Sequence, residues 1–252
     1  MADFSLFNLA LLVAVGGVAG FINTLAGGGS FLTVPLLIFM GMPATVANAT
    51  NRLGVFLQCL TAAKQFHSYG VFPVRFSLIV SIPAVAGSVL GSYAAMHISD
   101  AAFKKYLACF MVLMTLATFI KPAEMLAGRE VRYTPGRWLL IWLAFFLIGF
   151  YGGFIQAGVG FLIISAMLLT GYDFVAGNAS KSFTILLLTL VSLVIFWAGG
   201  KVQLLPGLAL GAGSMIGAVL GSRTTVSKGN DFVRKFVVAT VILFAILLLL
   251  KG

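Results

Sequence analysis

Apolar runs that approach the length of a membrane span constrain this chain more than any other feature of its sequence. They cover residues 103–120, 138–150, 183–198 and 232–250. A helix needs roughly 20 apolar residues to cross a hydrocarbon core about 30 Å thick. Because the runs approach or reach that length, the sequence predicts an all-α integral membrane protein with most of its chain in lipid.

The composition agrees with this environment. Of the 252 residues, 61% are hydrophobic and 9% are charged, against roughly 25% charged residues in an average soluble domain. The formal net charge of +10 would favour nucleic-acid binding in a soluble protein. Here most cations lie in short loops between apolar runs, where the positive-inside bias places them, so no nucleic-acid partner is expected.

An internal repeat predicts the architecture. The copies are 133 positions apart for the first matching stretch and 130 for the next two (149 − 16, 177 − 47 and 217 − 87). The stretches are residues 16–23 with 149–156, 47–52 with 177–182, and 87–92 with 217–222. We therefore expect two related membrane halves, residues 1–120 and 138–252, joined by a polar linker at 121–137.

Each half divides into five apolar segments. In the first half they cover residues 6–25, 31–40, 44–66, 72–96 and 103–120, and the second half repeats the order. The second segment of each half, 31–40 or 161–170, has half the length of a span and follows a glycine stretch. We expect half-helices there, so that each half is a broken or re-entrant helix pair plus three transmembrane helices. Whether the short segments re-enter or cross stays open.

Loop charges favour an odd number of crossings in each half. With even parity the loop cations divide six against eight, which is no bias, whereas odd parity divides them ten against four. The ten are Lys64, Arg75, Lys121, Arg129, Arg132, Arg137, Arg223, Lys228, Arg234 and Lys235, and the four are Lys104, Lys105, Lys201 and Lys251. Odd parity makes the repeats inverted, as in many secondary transporters. It predicts a multi-pass inner-membrane protein with a cytoplasmic linker and both termini on the other side.

The glycine stretches are the first candidate site. They are expected to break helices near the bilayer midplane and to direct the N-termini of the half-helices, which carry partial positive charge, toward an anion. The candidate residues are Gly27, Gly28, Gly29 and Ser30 in the first half and Gly158 and Gly160 in the second. The alternative is that these glycines only permit close helix packing.

Two cations fall outside the loops and segment ends. Arg52 and Lys181 lie inside the third segment of their halves, where charge is costly and usually functional. We expect them on opposite sides of one anion cavity; the alternative is that they snorkel to the interface. Polar residues that the repeat places near them complete the predicted substrate site: Asn23, Gln156, Asn48, Asn178, Thr50, Ser180 and Asn51.

All six acidic residues fall in termini, loops or segment ends. A carboxylate relay inside the membrane is therefore not expected, and export of an anion from a negative-inside cell gains about 2.3 kcal/mol per charge for each 100 mV. No HExxH, GxSxG or acidic metal cluster is present. We expect no enzyme, catalytic residue, metal or cofactor.

The stretch from residue 16 to residue 52, with its glycine run, Pro35 and Ala47 to Asn51, resembles the opening signature of the TauE/SafE (TSUP) family, the sulfite exporter-like permeases. The resemblance covers essentially the whole chain. It implies transport of sulfite or a related organosulfonate, with the small anion and the lipid bilayer as partners and a homodimer left open. An anion channel and a non-transporting sensor or scaffold are the alternatives.

Overall fold

The computed structural model describes residues 5–117 and 133–251, and the elements within those ranges are helices. They are α1 (Leu6–Leu25), α2 (Ser30–Phe39), α3 (Ala44–Ser68), α4 (Val74–Met96), α5 (Asp100–Ala117), α6 (Pro135–Phe154), α7 (Val159–Leu169), α8 (Phe174–Ala198) and α9 (Leu204–Lys251). The all-α prediction is confirmed. Both short second segments appear as helices of 10 and 11 residues. Most of the predicted linker, up to residue 132, lies outside the described residues.

The last helical run contains two helices. Gly229, with φ 69° and ψ −170°, interrupts α9, so the second half follows the five-segment order of the first. Just after this bend, the side-chain oxygen of Asn230 accepts a hydrogen bond of 3.0 Å from the backbone N–H of Val175 at the start of α8. In the first half, Asp100 accepts one of 2.8 Å from the N–H of Thr45 at the start of α3. In both halves, therefore, a side-chain oxygen accepts a hydrogen bond from a free backbone N–H at the N-terminus of the third helix.

Within the described residues, five helices are long and apolar enough to cross a membrane: α1, α4, α6, α8 and the Leu204–Val237 part of α9. Their outward faces carry large apolar side chains, such as Ile82, Leu147, Val194 and Ile216, which are more than half exposed. An exposed apolar surface of this extent needs a nonpolar solvent. The protein is therefore embedded in the membrane, with these faces toward lipid.

The first helix of each half packs against a helix of the other half. Helix α1 packs most extensively against α9 of the other half, and α6 packs against α4. Glycines bring the backbones together at both crossings: a Cβ on Gly213 would lie 1.9 Å from the carbonyl oxygen of Val13, and one on Gly149 would lie 1.9 Å from that of Ala84. Small residues permit this close packing in membranes, so the glycines at these two crossings have a packing role.

The helix bounds correct the repeat register that we predict around the first glycines. Helix α1 covers 6–25 and α6 covers 135–154, an offset of 129 (154 − 25), so the predicted offset of 133 was wrong by one helical turn. Gly16 and Gly20, like Gly149 and Gly153, recur every four residues, so a slip of one turn still sets glycine against glycine. The counterpart of Asn23 is therefore Gly152, and the predicted pairing of Asn23 with Gln156 was also wrong.

We expect alanine at Gly149 to lower thermal stability, because its Cβ would force α4 and α6 apart. Overpacking of this kind costs about 1–3 kcal/mol. Unfolding temperatures in detergent measure the loss for Gly149→Ala. Gly136→Ala on the same helix is the control, because a Cβ there meets no atom of the described residues within 4 Å. Equal unfolding temperatures for the two variants would contradict the crossing.

Candidate functional site

The structure brings the two glycine stretches into contact. A Cβ on Gly27 would lie 2.6 Å from the carbonyl carbon of Gly160, and one on Gly160 would lie 2.5 Å from the Cα of Gly27. Within the first turn of each short helix, the rings of Phe31 and Phe161 stack with centroids 6.3 Å apart. The N-terminal turns of α2 and α7 therefore meet inside the protein.

Arg52 reaches from α3 to the C-terminal end of the broken helix α6. Its two terminal nitrogens donate to the carbonyl oxygens of Gly152 (3.0 Å) and Gly153 (2.6 Å) and to the hydroxyl of Ser192 (2.8 Å). Its guanidinium carbon lies 4.7 Å from the ring centroid of Phe196, within the range of a cation–π contact. Arg52 is 0% exposed, so the predicted alternative of snorkelling to the interface was wrong.

Lys181 makes the matching contact at the end of α1. Its ammonium group donates to the carbonyl oxygens of Asn23 (2.6 Å) and Thr24 (2.9 Å) and to the side-chain oxygen of Asn178 (2.5 Å). Lys181 is 1% exposed, so it does not snorkel either. A lysine has three N–H donors, and all three have protein partners here.

An asparagine side chain also donates to the last carbonyl of each broken helix. The Asn48 amide donates to the carbonyl oxygen of Phe154 (3.1 Å), and the Asn178 amide donates to that of Leu25 (2.9 Å). At the register of 129, Asn23, Thr24 and Leu25 correspond to Gly152, Gly153 and Phe154. The same three carbonyls are thus satisfied at both ends, each time by a cation and an asparagine from the other half. The C-terminus of a helix carries partial negative charge, which the cations offset.

The remaining polar residues of the first break bond to one another. The Asn23 amide donates to Gln58 (2.9 Å), and the Asn51 amide donates to the hydroxyl of Ser30 (3.2 Å). Thr33 donates to the side-chain oxygen of Asn51 (2.6 Å). Asn23 lies next to the glycine stretch, since a Cβ on Gly29 would lie 2.7 Å from the Cβ of Asn23.

Two predicted site residues form hydrogen bonds away from the breaks. The hydroxyl of Thr50 accepts from the backbone N–H of Gln203 (3.1 Å), just before α9. Ser180 pairs with Ser77 of α4 (2.8 Å). Both residues are buried, but these hydrogen bonds join α3 to α9 and α8 to α4 instead of lining the breaks.

The second break includes polar residues of α8 that the sequence interpretation missed. Gln156 donates to the hydroxyl of Thr189 (2.7 Å), and Ser192, one turn further along α8, receives Arg52. Thr189 and Ser192 are polar interruptions of the apolar run 183–198, and their spacing of three puts them on one helix face. That spacing is the sequence feature from which the two residues could have been predicted.

A family model described as "Sulfite exporter TauE/SafE" matches residues 12–248. The chain belongs to the TauE/SafE family. Among its relatives, the "Probable membrane transporter protein" of Haemophilus influenzae is 32% identical over 94% of this chain and 92% of the relative. The "Probable membrane transporter protein ORF9" of Sinorhizobium sp is 28% identical over 99% of this chain and 95% of the relative.

The "Probable membrane transporter protein YfcA" of Escherichia coli K12 is 28% identical over 91% of this chain and 85% of the relative. No solved structure matches the chain. Together with the apolar outer surface, these relatives identify the TauE/SafE chain as a member of a membrane transporter family.

We expect Lys181→Met and Arg52→Met each to lower the unfolding temperature of the TauE/SafE protein, because each leaves buried helix-end carbonyls without a donor. A hydrogen bond to a charged group is worth about 1.5–3 kcal/mol. Lys64→Met, an exposed position on α3, is the control. Thermal unfolding in detergent compares the three variants. Unchanged stability of Lys181→Met would show that the α1 end does not need its cation.

Proposed function

We propose that this protein exports a small oxyanion, such as sulfite or an organosulfonate, through a site at the bilayer midplane between the opposed N-termini of α2 and α7. The backbone contact of Gly27 with Gly160 carries the proposal. It sets the positive ends of two helix dipoles against each other, an arrangement that an anion between them would stabilise.

The charges around the breaks support an anion as the ligand. Arg52 and Lys181 are buried within hydrogen-bonding distance of the helix ends that lead into the breaks. All six acidic residues of the chain lie in termini, loops or segment ends. An anion site between the breaks would thus be positively polarised. Arg52 is the cation that we assign to the ligand, because the three donors of Lys181 already have protein partners.

The proposed topology is inverted. The ten-to-four division of the loop cations supports a linker in the cytoplasm of a cell with an inner membrane, with both termini on the opposite side. Each half then contributes one membrane repeat, residues 1–120 and 138–252. Because the third helix of each half holds the broken helix of the other, rocking of one repeat against the other would move both breaks together, as alternating access requires.

The membrane potential supplies a driving force for export. Each negative charge that leaves a cell gains about 2.3 kcal/mol per 100 mV of inside-negative potential. The exporter needs no coupling ion under this scheme.

Sulfite efflux from proteoliposomes tests the proposed site. We expect saturable efflux by the unaltered protein and a loss of at least about tenfold in Gly27→Ala, whose Cβ would separate the breaks. Gly41→Ala is the matched control: Gly41 also has positive φ (90°, against 105° at Gly27), but a Cβ there meets nothing within 4 Å. Both variants therefore bear similar backbone strain, and only one disturbs the contact.

The outcomes separate the alternatives. Large unitary anion currents would indicate a channel instead of a carrier. Absence of both efflux and anion-dependent thermal stabilisation would contradict transport and favour a sensor or scaffold. Equal efflux in Gly27→Ala and Gly41→Ala would place the path away from the breaks.

A further inference from the structure

The two helix breaks differ in how completely their polar groups are satisfied. Three buried side-chain atoms among the described residues have no hydrogen-bond partner: Oδ1 of Asn48, Nε of Arg52 and Oε1 of Gln156. All three belong to residues that are at most 2% exposed. Buried polar atoms are rarely left unpaired, because each costs about 1–3 kcal/mol. Such a group points to something that binds there.

The three residues surround one helix end. Asn48 and Arg52 lie four residues apart on the same face of α3, and both donate to the last carbonyls of α6. Gln156 follows α6 by two residues, in the left-handed region with φ 67°. Its amide is held by Thr189, one turn from Ser192, which holds Arg52. The unpartnered atoms therefore belong to a single cluster at the α6–α7 break.

The equivalent cluster at the α1–α2 break is complete. The side-chain oxygen of Asn178 accepts from Lys181, whereas that of its counterpart Asn48 is unpaired. Both amide atoms of Gln58 also have partners, the amide of Asn23 (2.9 Å) and the hydroxyl of Thr24 (3.4 Å). The first break thus has its side-chain polar groups paired internally, and the second does not.

The chemistry of the unpaired atoms restricts the ligand. Arg52 Nε is a donor and suits an oxyanion oxygen, whereas Asn48 Oδ1 and Gln156 Oε1 are acceptors. The orientation of the Asn48 amide is fixed, because the carbonyl oxygen of Phe154 can only accept a hydrogen bond and therefore faces the NH2 group. A fully deprotonated oxyanion presents only acceptors and would be repelled by the Asn48 oxygen.

We propose that the transported ligand binds at the α6–α7 break, against Asn48, Arg52 and Gln156, and is a monoanion that carries at least one N–H or O–H donor beside its oxyanion oxygens. This inference rests on the proposed function, because it takes the transported anion to be the occupant of the break. Among the forms of sulfite it selects hydrogen sulfite over the dianion. The proton then crosses on the substrate, which agrees with the absence of acidic residues from the interiors of the apolar segments.

Two anions that differ in one hydrogen-bond donor test this requirement. Sulfamate and methanesulfonate are both monoanions at neutral pH and have nearly the same size, but sulfamate has an amino group where methanesulfonate has a methyl group. Thermal shifts of the purified protein, titrated with each anion, give the two Kd values. We expect sulfamate to bind at least about tenfold more tightly, which corresponds to about 1.4 kcal/mol.

Variants at the two breaks locate the preference. Gln156→Met removes one acceptor and is expected to reduce the preference for sulfamate severalfold. Gln58→Met is the matched control: it also replaces a buried glutamine beside a break, and it should lower stability while keeping the preference. Because position 156 has positive φ, Gln156→Gly relieves backbone strain and provides a second variant if Gln156→Met does not fold.

The outcomes distinguish this inference from the proposed function. Equal affinity of the unaltered protein for the two probes, or stabilisation by sulfite without stabilisation by sulfamate, would overturn the donor requirement while leaving anion transport intact. Loss of the preference in Gln58→Met but not in the Gln156 variants would move the ligand to the first break. No stabilisation by sulfite, sulfamate or methanesulfonate would overturn both.

Discussion

Two buried cations at the ends of two broken helices are the interaction on which the rest of the structure depends. A helix that stops inside a membrane leaves its last carbonyls without intrahelical partners, and water is not available to hydrate them. Arg52 and Lys181, each with an asparagine one turn earlier, donate to those carbonyls. These donors stabilise the ends of α1 and α6 beside the glycine stretches.

The capping also links the halves. The first half supplies the cation for the broken helix of the second, and the second half supplies the cation for the first. Close glycine crossings of α1 with α9 and of α6 with α4 reinforce the exchange. Neither broken helix takes its cation from its own half, so these contacts tie α6 to α3 and α1 to α8. The buried charges are stabilising because each has several acceptors around it; an isolated charge there would be costly.

The similar contacts in the two halves leave different polar groups unpaired. At the first break, Ser30, Thr33 and Asn51 hold the start of α2 to α3, and Lys181 has no donor left. At the second break a longer guanidinium, with five N–H donors, replaces the ammonium and leaves Nε unpaired. The choice of arginine in one half and lysine in the other therefore has a structural consequence: within the described part of the chain, the α6–α7 break retains buried side-chain atoms without a hydrogen-bond partner, whereas the α1–α2 break does not.

The sequence by itself determined the all-helical membrane architecture, the order of the segments and the two short helices. Length, hydropathy and glycine position are local properties, and the bilayer converts them directly into helices and breaks. The sequence also indicated that Arg52 and Lys181 have a role inside the protein, because a charge within an apolar segment is costly and needs partners, wherever those partners lie. Only the tertiary structure decided what those partners are.

Most acceptors of the two cations are backbone carbonyls of the other half, at least 100 positions away, and a carbonyl has no signature in a sequence. The register of α1 against α6 was likewise undecidable by pattern, since glycines that recur every four residues match equally well after a slip of one turn. Thr50 and Ser180 look like site residues in the sequence, yet helix rotation turns them toward α9 and α4. Which face of a helix meets which neighbour is set by packing across the whole molecule, and that information is not local.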